Sequence, residues 1–236
     1  LVMSVFVAFE GGEGSGKSTQ SKLLYERIIN EGFSSLLLHE PGGTSVGEEV
    51  RRILLAERGS IKKKSSGLNN TTMNSLTELF LFSSARSELI EKVIKPNLQK
   101  DTIIICDRFI ASTIAYQGYG RKIDLDTIEN IINVSTNGIR PDITIFLSVA
   151  PDQALGRVNS QLSLLDTVSN SIEKENPRMD VEGSRRFELE SINFHKRVFQ
   201  GYVAMSKDSS WLTVDATKSV DEIHNIIWDK IQMLIK

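Results

Sequence analysis

A chain of 236 residues with 40% hydrophobic and 25% charged side chains fits one large α/β domain and falls outside disordered, fibrous or disulfide-framed compositions. A net charge of −2 excludes a global field that would gather nucleic acid or an anionic membrane, so any phosphate-binding positive charge has to be concentrated locally. Cys106 is the single cysteine, so no internal disulfide can form, and neither a basic-then-apolar leader nor a membrane-length apolar run is found; a cytoplasmic protein is the expectation.

In chain order, five short apolar runs predict strands: residues 4–10, 35–39, 102–106, 143–149 and 211–215. Each is nearly continuous in its apolar character, as in strands buried on both faces, and helix-length segments separate them. A parallel sheet covered by helices follows. The helical pieces are 17–30, 46–56, 73–98, 125–134, a long 186–205 and a closing 220–235. Asp124 stands where an N-cap belongs, and Ser219 with Glu222 three residues on reads as a capping box. Pro96 and Gly201 leave two helix ends open. The apolar residues between Met73 and Leu98 spread over more than one helical face, which suits packing on the sheet and against something else, such as a second copy of the chain. Residues 58–72 and 159–184 are polar and poor in aromatics and are expected to be mobile; Lys62, Lys63 and Lys64 read as a solvated loop.

Between the first strand and the first helix lies Gly11-Gly12-Glu13-Gly14-Ser15-Gly16-Lys17-Ser18-Thr19, which fits G-x-x-x-x-G-K-S/T in the required context. The glycines let the backbone curl so that successive N–H groups point at phosphate oxygens, and the helix adds the positive end of its dipole. Lys17 is placed to reach the β- and γ-phosphates, and the Ser18 hydroxyl to ligate Mg²⁺. That pattern means nucleoside triphosphate and no more: motors, switches and kinases share it.

The third predicted strand runs into Asp107-Arg108-Phe109, then Ser112-Thr113 and Ala115-Tyr116-Gln117-Gly118. Here the sequence resembles the thymidylate kinase family. The resemblance continues through Glu40-Pro41-Gly42-Gly43-Thr44, Phe82-Ser83-Ser84-Ala85-Arg86, Arg140-Pro141-Asp142 and Phe187-Glu188. It implies a P-loop fold with a five-stranded parallel sheet in the order 2-3-1-4-5, a homodimer, and transfer of the γ-phosphoryl of ATP to dTMP with Mg²⁺. Asp107 and Arg108, at a strand's C-terminal end, would face the crevice where open α/β sheets bind ligands, Arg108 for phosphate and Asp107 for the metal. Phe82 and Arg86 share a helix face at i and i+4, and the resemblance gives them the thymine, one by stacking and one by hydrogen bonding to a carbonyl. By the same resemblance Thr113 and Gln117 line the base pocket, Tyr116 lies beneath a deoxyribose, Glu13 is directed at the acceptor nucleotide, Glu40 lies near the acceptor phosphate, and Arg157 stacks on adenine.

The phosphate loop has no arginine of its own, and the resemblance then implies an additional cation from a lid at about 157–186, with Arg178, Arg185 and Arg186 as candidates. The match is weakest there: the segment is longer than the family's usual lid, and Arg185 stands where the pattern has Asp. His39, His195 and His224 are expected to be structural or superficial, because an ionised phosphate acceptor needs no general base. Two alternatives stay open: a kinase for another nucleotide or nucleoside, and a P-loop ATPase switch, although no Asn-Lys-x-Asp guanine motif and no basic stripe for nucleic acid occur.

Overall fold

The computed structural model describes residues 4–55, 73–158, 160 and 185–235. The loop expected at 58–72, with Lys62 to Lys64, and most of the expected lid lie outside them.

β1 (Phe6–Glu10) sits at the centre of the sheet, paired in parallel with β3 (Ile103–Asp107) on one side and β4 (Ile143–Ser148) on the other. β2 (Ser35–His39) adds beyond β3 and β5 (Trp211–Asp215) beyond β4, giving the order β2-β3-β1-β4-β5. The doubly wound parallel sheet expected from the sequence is therefore present. Burial on both faces holds for the three inner strands, whereas β2 and β5 are edges with partly exposed residues, because only the inner strands have neighbours on both sides.

Alternation along the strands sorts the core into two layers. Val7, Phe9, Ile105 and Ile145 point to the face covered by α1 (Lys17–Asn30) and the C-terminal helix Val220–Ile235, where Leu24, Ile28, Ile227 and Ile231 meet them. Phe6, Ala8, Ile104 and Cys106 point to the opposite face, against Leu89, Ile90 and Ile94. Fully burying one such side chain contributes about 1.5–3 kcal/mol. These layers therefore hold the strand ends, and whatever projects from them, in one place.

Several helices depart from expectation. α2 spans Ser45–Leu55, and α3 (Ser75–Leu89) runs on through a π-helical turn, Ile90–Ile94, into Lys95–Leu98. Pro96 sits in that last turn, directly after the π turn, so it does not end the helix. The predicted 186–205 helix is two helices, Arg185–Glu188 and Ile192–Met205, because the Ser191 side chain accepts from the Phe194 amide and caps a new start. Gly201 lies inside the second of these and marks no end; a Cβ there would stand 2.7 Å from the Tyr119 ring. Asp124 and the Ser219–Glu222 box cap as expected.

Two segments carry no strong periodicity and were not predicted as helical. One is residues 151–158. The other is Ile110–Thr113 followed by a π-helical stretch, Ile114–Gly120, closed by a bond from the Arg121 amide to the Tyr116 carbonyl. Wide turns of this kind cluster at functional sites, and this one carries Tyr116 and Gln117.

Candidate active site

Parallel strands deliver their C-terminal ends to one edge, and there β1 passes into the glycine loop while β3 passes into Asp107-Arg108-Phe109. Gly14 has φ +68°, and a Cβ on it would lie 2.4 Å from the Ala154 carbonyl oxygen of the 151–158 helix. Only glycine lets the loop turn and nest against that helix. The N-cap of α1 is Gly16, with no side-chain cap bond and no acidic residue in the first turn, so no side chain competes with an anion for the amides.

Lys17 is buried. Its Nζ donates to the Gly12 carbonyl at 2.6 Å and to Ser15 Oγ at 3.2 Å. Burial, followed by the neighbouring charge of Arg108, brings its pKa down to about 8. A phosphate arriving there would relieve both effects. The Ser18 hydroxyl donates to Asp107 Oδ2 at 2.6 Å, joining the two expected metal-organising groups across 89 residues of sequence. Two oxygen ligands that line the cleft, to be completed by phosphate and water oxygens, fit a hard cation such as Mg²⁺, which seldom has an all-protein cage.

Arg108 has φ +71°, a left-handed conformation that an arginine adopts only under constraint. Its amide bonds to the Phe9 carbonyl, and its guanidinium donates to the Gly11 carbonyl at 2.9 Å, Ser112 Oγ at 3.2 Å and Glu13 Oε1 at 3.0 Å. Beneath them lies Glu10, fully buried, accepting from the Phe109 amide at 2.8 Å, Ser112 Oγ at 2.7 Å and the Tyr202 hydroxyl at 3.0 Å. Burial raises its carboxyl above the ordinary value despite these donors. Burial would raise Glu13 also, but Arg108 and Lys17 outweigh that and hold it low. The Tyr116 hydroxyl donates to Glu13, and Arg108 lies 5.2 Å above the Tyr116 ring.

The cleft has a volume of about 610 Å³, large enough for extended nucleotide ligands. Lys17 and Ser18 line one part of it, and Phe82, Arg86, Thr113, Tyr116 and Gln117 another. Arg86 is 1% exposed, with Nε donating to Glu40 Oε2 at 2.8 Å and one terminal nitrogen to Thr113 Oγ1 at 2.8 Å and the Phe109 carbonyl at 3.3 Å. The other terminal nitrogen is buried without a hydrogen-bond partner among the described residues, and so is Glu40 Oε1. Glu40 thus sits on Arg86. Burial lifts its pKa to about 7 against the lowering influence of Arg86. Because the folded value exceeds the unfolded one, the native state holds the extra proton from about pH 4.5 to pH 7, and stability falls as pH rises through that window. Glu40→Gln is expected to flatten this slope, as read from urea midpoints at pH 5, 6 and 7.

Other expected site residues are placed less centrally. Arg157 is exposed and donates to the Ala216 carbonyl at 2.9 Å. Arg178 lies outside the described residues, as does the side chain of Arg185. Arg186, one of the expected lid cations, is 8% exposed, pairs with Glu78 Oε2 at 2.5 Å and donates to the Leu54 carbonyl at 2.7 Å, so its charge is paired on the Gln117 side of the cleft. His39, expected to be structural or superficial, lines the cleft and faces Glu48 at 3.4 Å. His195 is buried and His224 half-buried.

Sequence reasoning missed Glu10, Glu78 and Arg51. Arg51 lines the cleft and donates to the Pro41 carbonyl at 2.9 Å. Its signal was an arginine two turns into the helix that follows the Glu40-Pro41-Gly42-Gly43-Thr44 turn. The two glutamates read as ordinary charged positions, because their partners are remote in sequence.

Comparison with known proteins agrees with this geometry. The family model described as thymidylate kinase matches residues 9–227. The chain is 40% identical over 236 residues to a thymidylate kinase of Dehalococcoides mccartyi, covering 99% of each, and 38% identical over 222 residues to one of Geotalea daltonii, covering 93% of this chain and 92% of the relative. A crystal structure of thymidylate kinase from Ehrlichia chaffeensis superposes with a TM-score of 0.67 at 30% identity, covering 97% of this chain and 99% of that one. Similarity that extends from the phosphate loop into the C-terminal helix, on a sheet of the expected order, makes this chain a member of the thymidylate kinase family.

Proposed function

We propose that the chain transfers the γ-phosphoryl group of ATP to dTMP, yielding dTDP and ADP, with Mg²⁺ and as a cytoplasmic homodimer. The observation that carries this reading is the buried terminal nitrogen of Arg86, which has no partner among the described residues and belongs to a residue lining the cleft beside Phe82. A desolvated N–H left over after Glu40 and Thr113 have taken the rest of the guanidinium suits a pyrimidine carbonyl, and the Phe82 ring supplies an apolar face.

In the proposed reaction an oxygen of the dTMP phosphate attacks the γ-phosphorus as the bond to the β,γ-bridging oxygen breaks and the electrons leave with ADP. The acceptor oxygen is largely ionised near neutral pH, so no side chain has to remove a proton. Lys17 and Arg108 neutralise charge on the moving group, and the loop amides hold its oxygens. Bound Mg²⁺, held by Ser18 and Asp107, would supply further charge neutralisation to the phosphates. With Arg186 committed to Glu78, Arg185 and Arg178 remain the proposed lid cations; alanine variants of both that keep full turnover would refute them.

Exposed Leu76 and Phe80 on α3, at 46% and 55%, support a partner on the α3 side, and a second copy is the proposed one. No described helix is long and apolar enough to cross a membrane.

The decisive test is an ADP-release assay with ATP and Mg²⁺ over a panel of nucleoside monophosphates. dTMP is expected to be the preferred acceptor. Acceptor-independent hydrolysis, or preference for a purine nucleotide, would overturn the proposal. The Tyr116 ring, fixed through its hydroxyl by Glu13, is proposed to crowd a 2′-hydroxyl; Tyr116→Ala should raise the relative use of the ribonucleotide about tenfold. The kcat/KM ratio of the two sugars checks this.

A further inference from the structure

Glu78 is a heavily engaged carboxylate outside the phosphate site, and nothing in the proposed reaction uses it. It lies on α3 with 0% exposure. One oxygen accepts from Gln117 Nε2 at 2.8 Å and Arg121 Nε at 3.1 Å; the other accepts from Arg121 at 3.1 Å and Arg186 at 2.5 Å. Arg121 also donates to Glu190 at 2.8 Å and stacks 4.6 Å over the Phe194 ring. Two arginines hold the carboxylate in place, and it in turn holds the side-chain amide of Gln117.

The chemistry of that bond has a consequence. An ionised carboxylate can only accept hydrogen bonds, so the end of the Gln117 amide facing Glu78 must be the NH₂. The oxygen end of that amide is thereby fixed away from Glu78, as an acceptor for a ligand in the cleft that Gln117 lines. Pyrimidines divide on this point: in thymine and uracil the ring N3 bears a hydrogen and donates, whereas in cytosine N3 is an acceptor. We propose that Glu78 is a specificity-determining positioning residue, which locks the Gln117 amide so that it presents an acceptor to the base and thereby selects N3–H pyrimidines over cytosine. Arg86 complements this by offering a donor to a base carbonyl, so the pocket presents one donor and one acceptor.

The same carboxylate ties Gln117 to the segment that carries Phe187. Arg186 precedes Phe187 and Glu188, both of which line the cleft, and the Phe187 ring lies 5.5 Å from Tyr116 and 6.1 Å from Phe82. Glu78 thus orients Gln117 and anchors the segment whose Phe187 packs against Phe82 and Tyr116.

This inference rests on the proposed dTMP kinase reading, and its test separates the two. Rates would be measured with dTMP and dCMP at saturating ATP and Mg²⁺ for wild type, Glu78→Gln, Gln117→Leu and the double variant. If wild type fails to phosphorylate dTMP, the functional reading itself falls. If it does, Glu78→Gln, whose side chain lets the Gln117 amide turn either way, is expected to lower the dTMP-to-dCMP preference in kcat/KM about tenfold, mostly through KM. In the Gln117→Leu background the same change should leave the preference unaltered, because Glu78 acts through the amide. An equal shift in both backgrounds, or none in either with the protein folded, would overturn the proposal. Should Glu78→Gln not fold, the side-chain amide resonances of Gln117 in ¹⁵N-labelled wild type decide. A carboxylate-bound NH₂ retained on adding dTMP supports the assignment, and its release on binding refutes it.

Discussion

Lys17→Met is expected to reduce turnover by about 10²–10³-fold, the usual effect of deleting one preorganised donor to transition-state charge, while the protein stays folded. The second half of that expectation follows from the same burial that makes the ammonium effective. Desolvation, and after it the nearby Arg108 charge, depress the pKa of Lys17 from 10.5 to about 8. Below pH 8 both folded and unfolded chains carry the proton, and the native state bears the full penalty of a charge it disfavours. Between pH 8 and pH 10.5 the unfolded chain binds more protons than the folded one, so this penalty is relieved and stability rises with pH. Methionine, close in volume and uncharged, removes the dependence. Urea midpoints of wild type and variant between pH 7.5 and pH 10 should therefore converge as pH rises, with the variant at least as stable at neutral pH. A variant that keeps its turnover, or whose midpoint runs parallel to wild type throughout, contradicts this account of the residue.

Arg86→Ala should behave in the opposite way, losing stability and base preference together. Arg86 and Glu40 are almost fully shielded from water, and removing the cation leaves a carboxylate whose pKa burial has already lifted to about 7. Truncating one partner of a buried pair costs about 3–5 kcal/mol, largely because the other is left uncompensated. Adding Glu40→Gln to Arg86→Ala should recover part of that loss, since it removes the stranded charge. It should recover none of the base preference, because no donor returns to meet the pyrimidine carbonyl. Urea unfolding of the single and double variants, run beside the dTMP and dCMP assays, checks both statements. Unchanged preference in a folded Arg86→Ala protein would remove Arg86 from the base site.

Parts of this site that depend on neighbouring residues along the chain were readable directly. The glycine loop is one, since its turn, its N–H groups and the helix behind it all come from residues 11–19. Phe82 and Arg86 are another: α3 sets them on one face, and both line the cleft. Apolar runs predicted all five strands; for the three inner ones the reason is that an inner parallel strand has no exposed face to interrupt its hydrophobic character.

Tertiary structure decided the rest. Glu40 shows this most plainly: sequence gave no sign of its partner, and the fold sets it against Arg86, 46 residues away. Arg186, a candidate lid cation, is met by Glu78, which α3 brings to it from 108 residues upstream. No local pattern announces Glu10 or Glu78, because a glutamate becomes an organising group only when distant donors converge on it in a space that excludes water. Residue identity and spacing determined which groups could bind phosphate and base. Only burial, which no single segment controls, decided which charges were spent holding one another and which N–H groups were left over for a ligand.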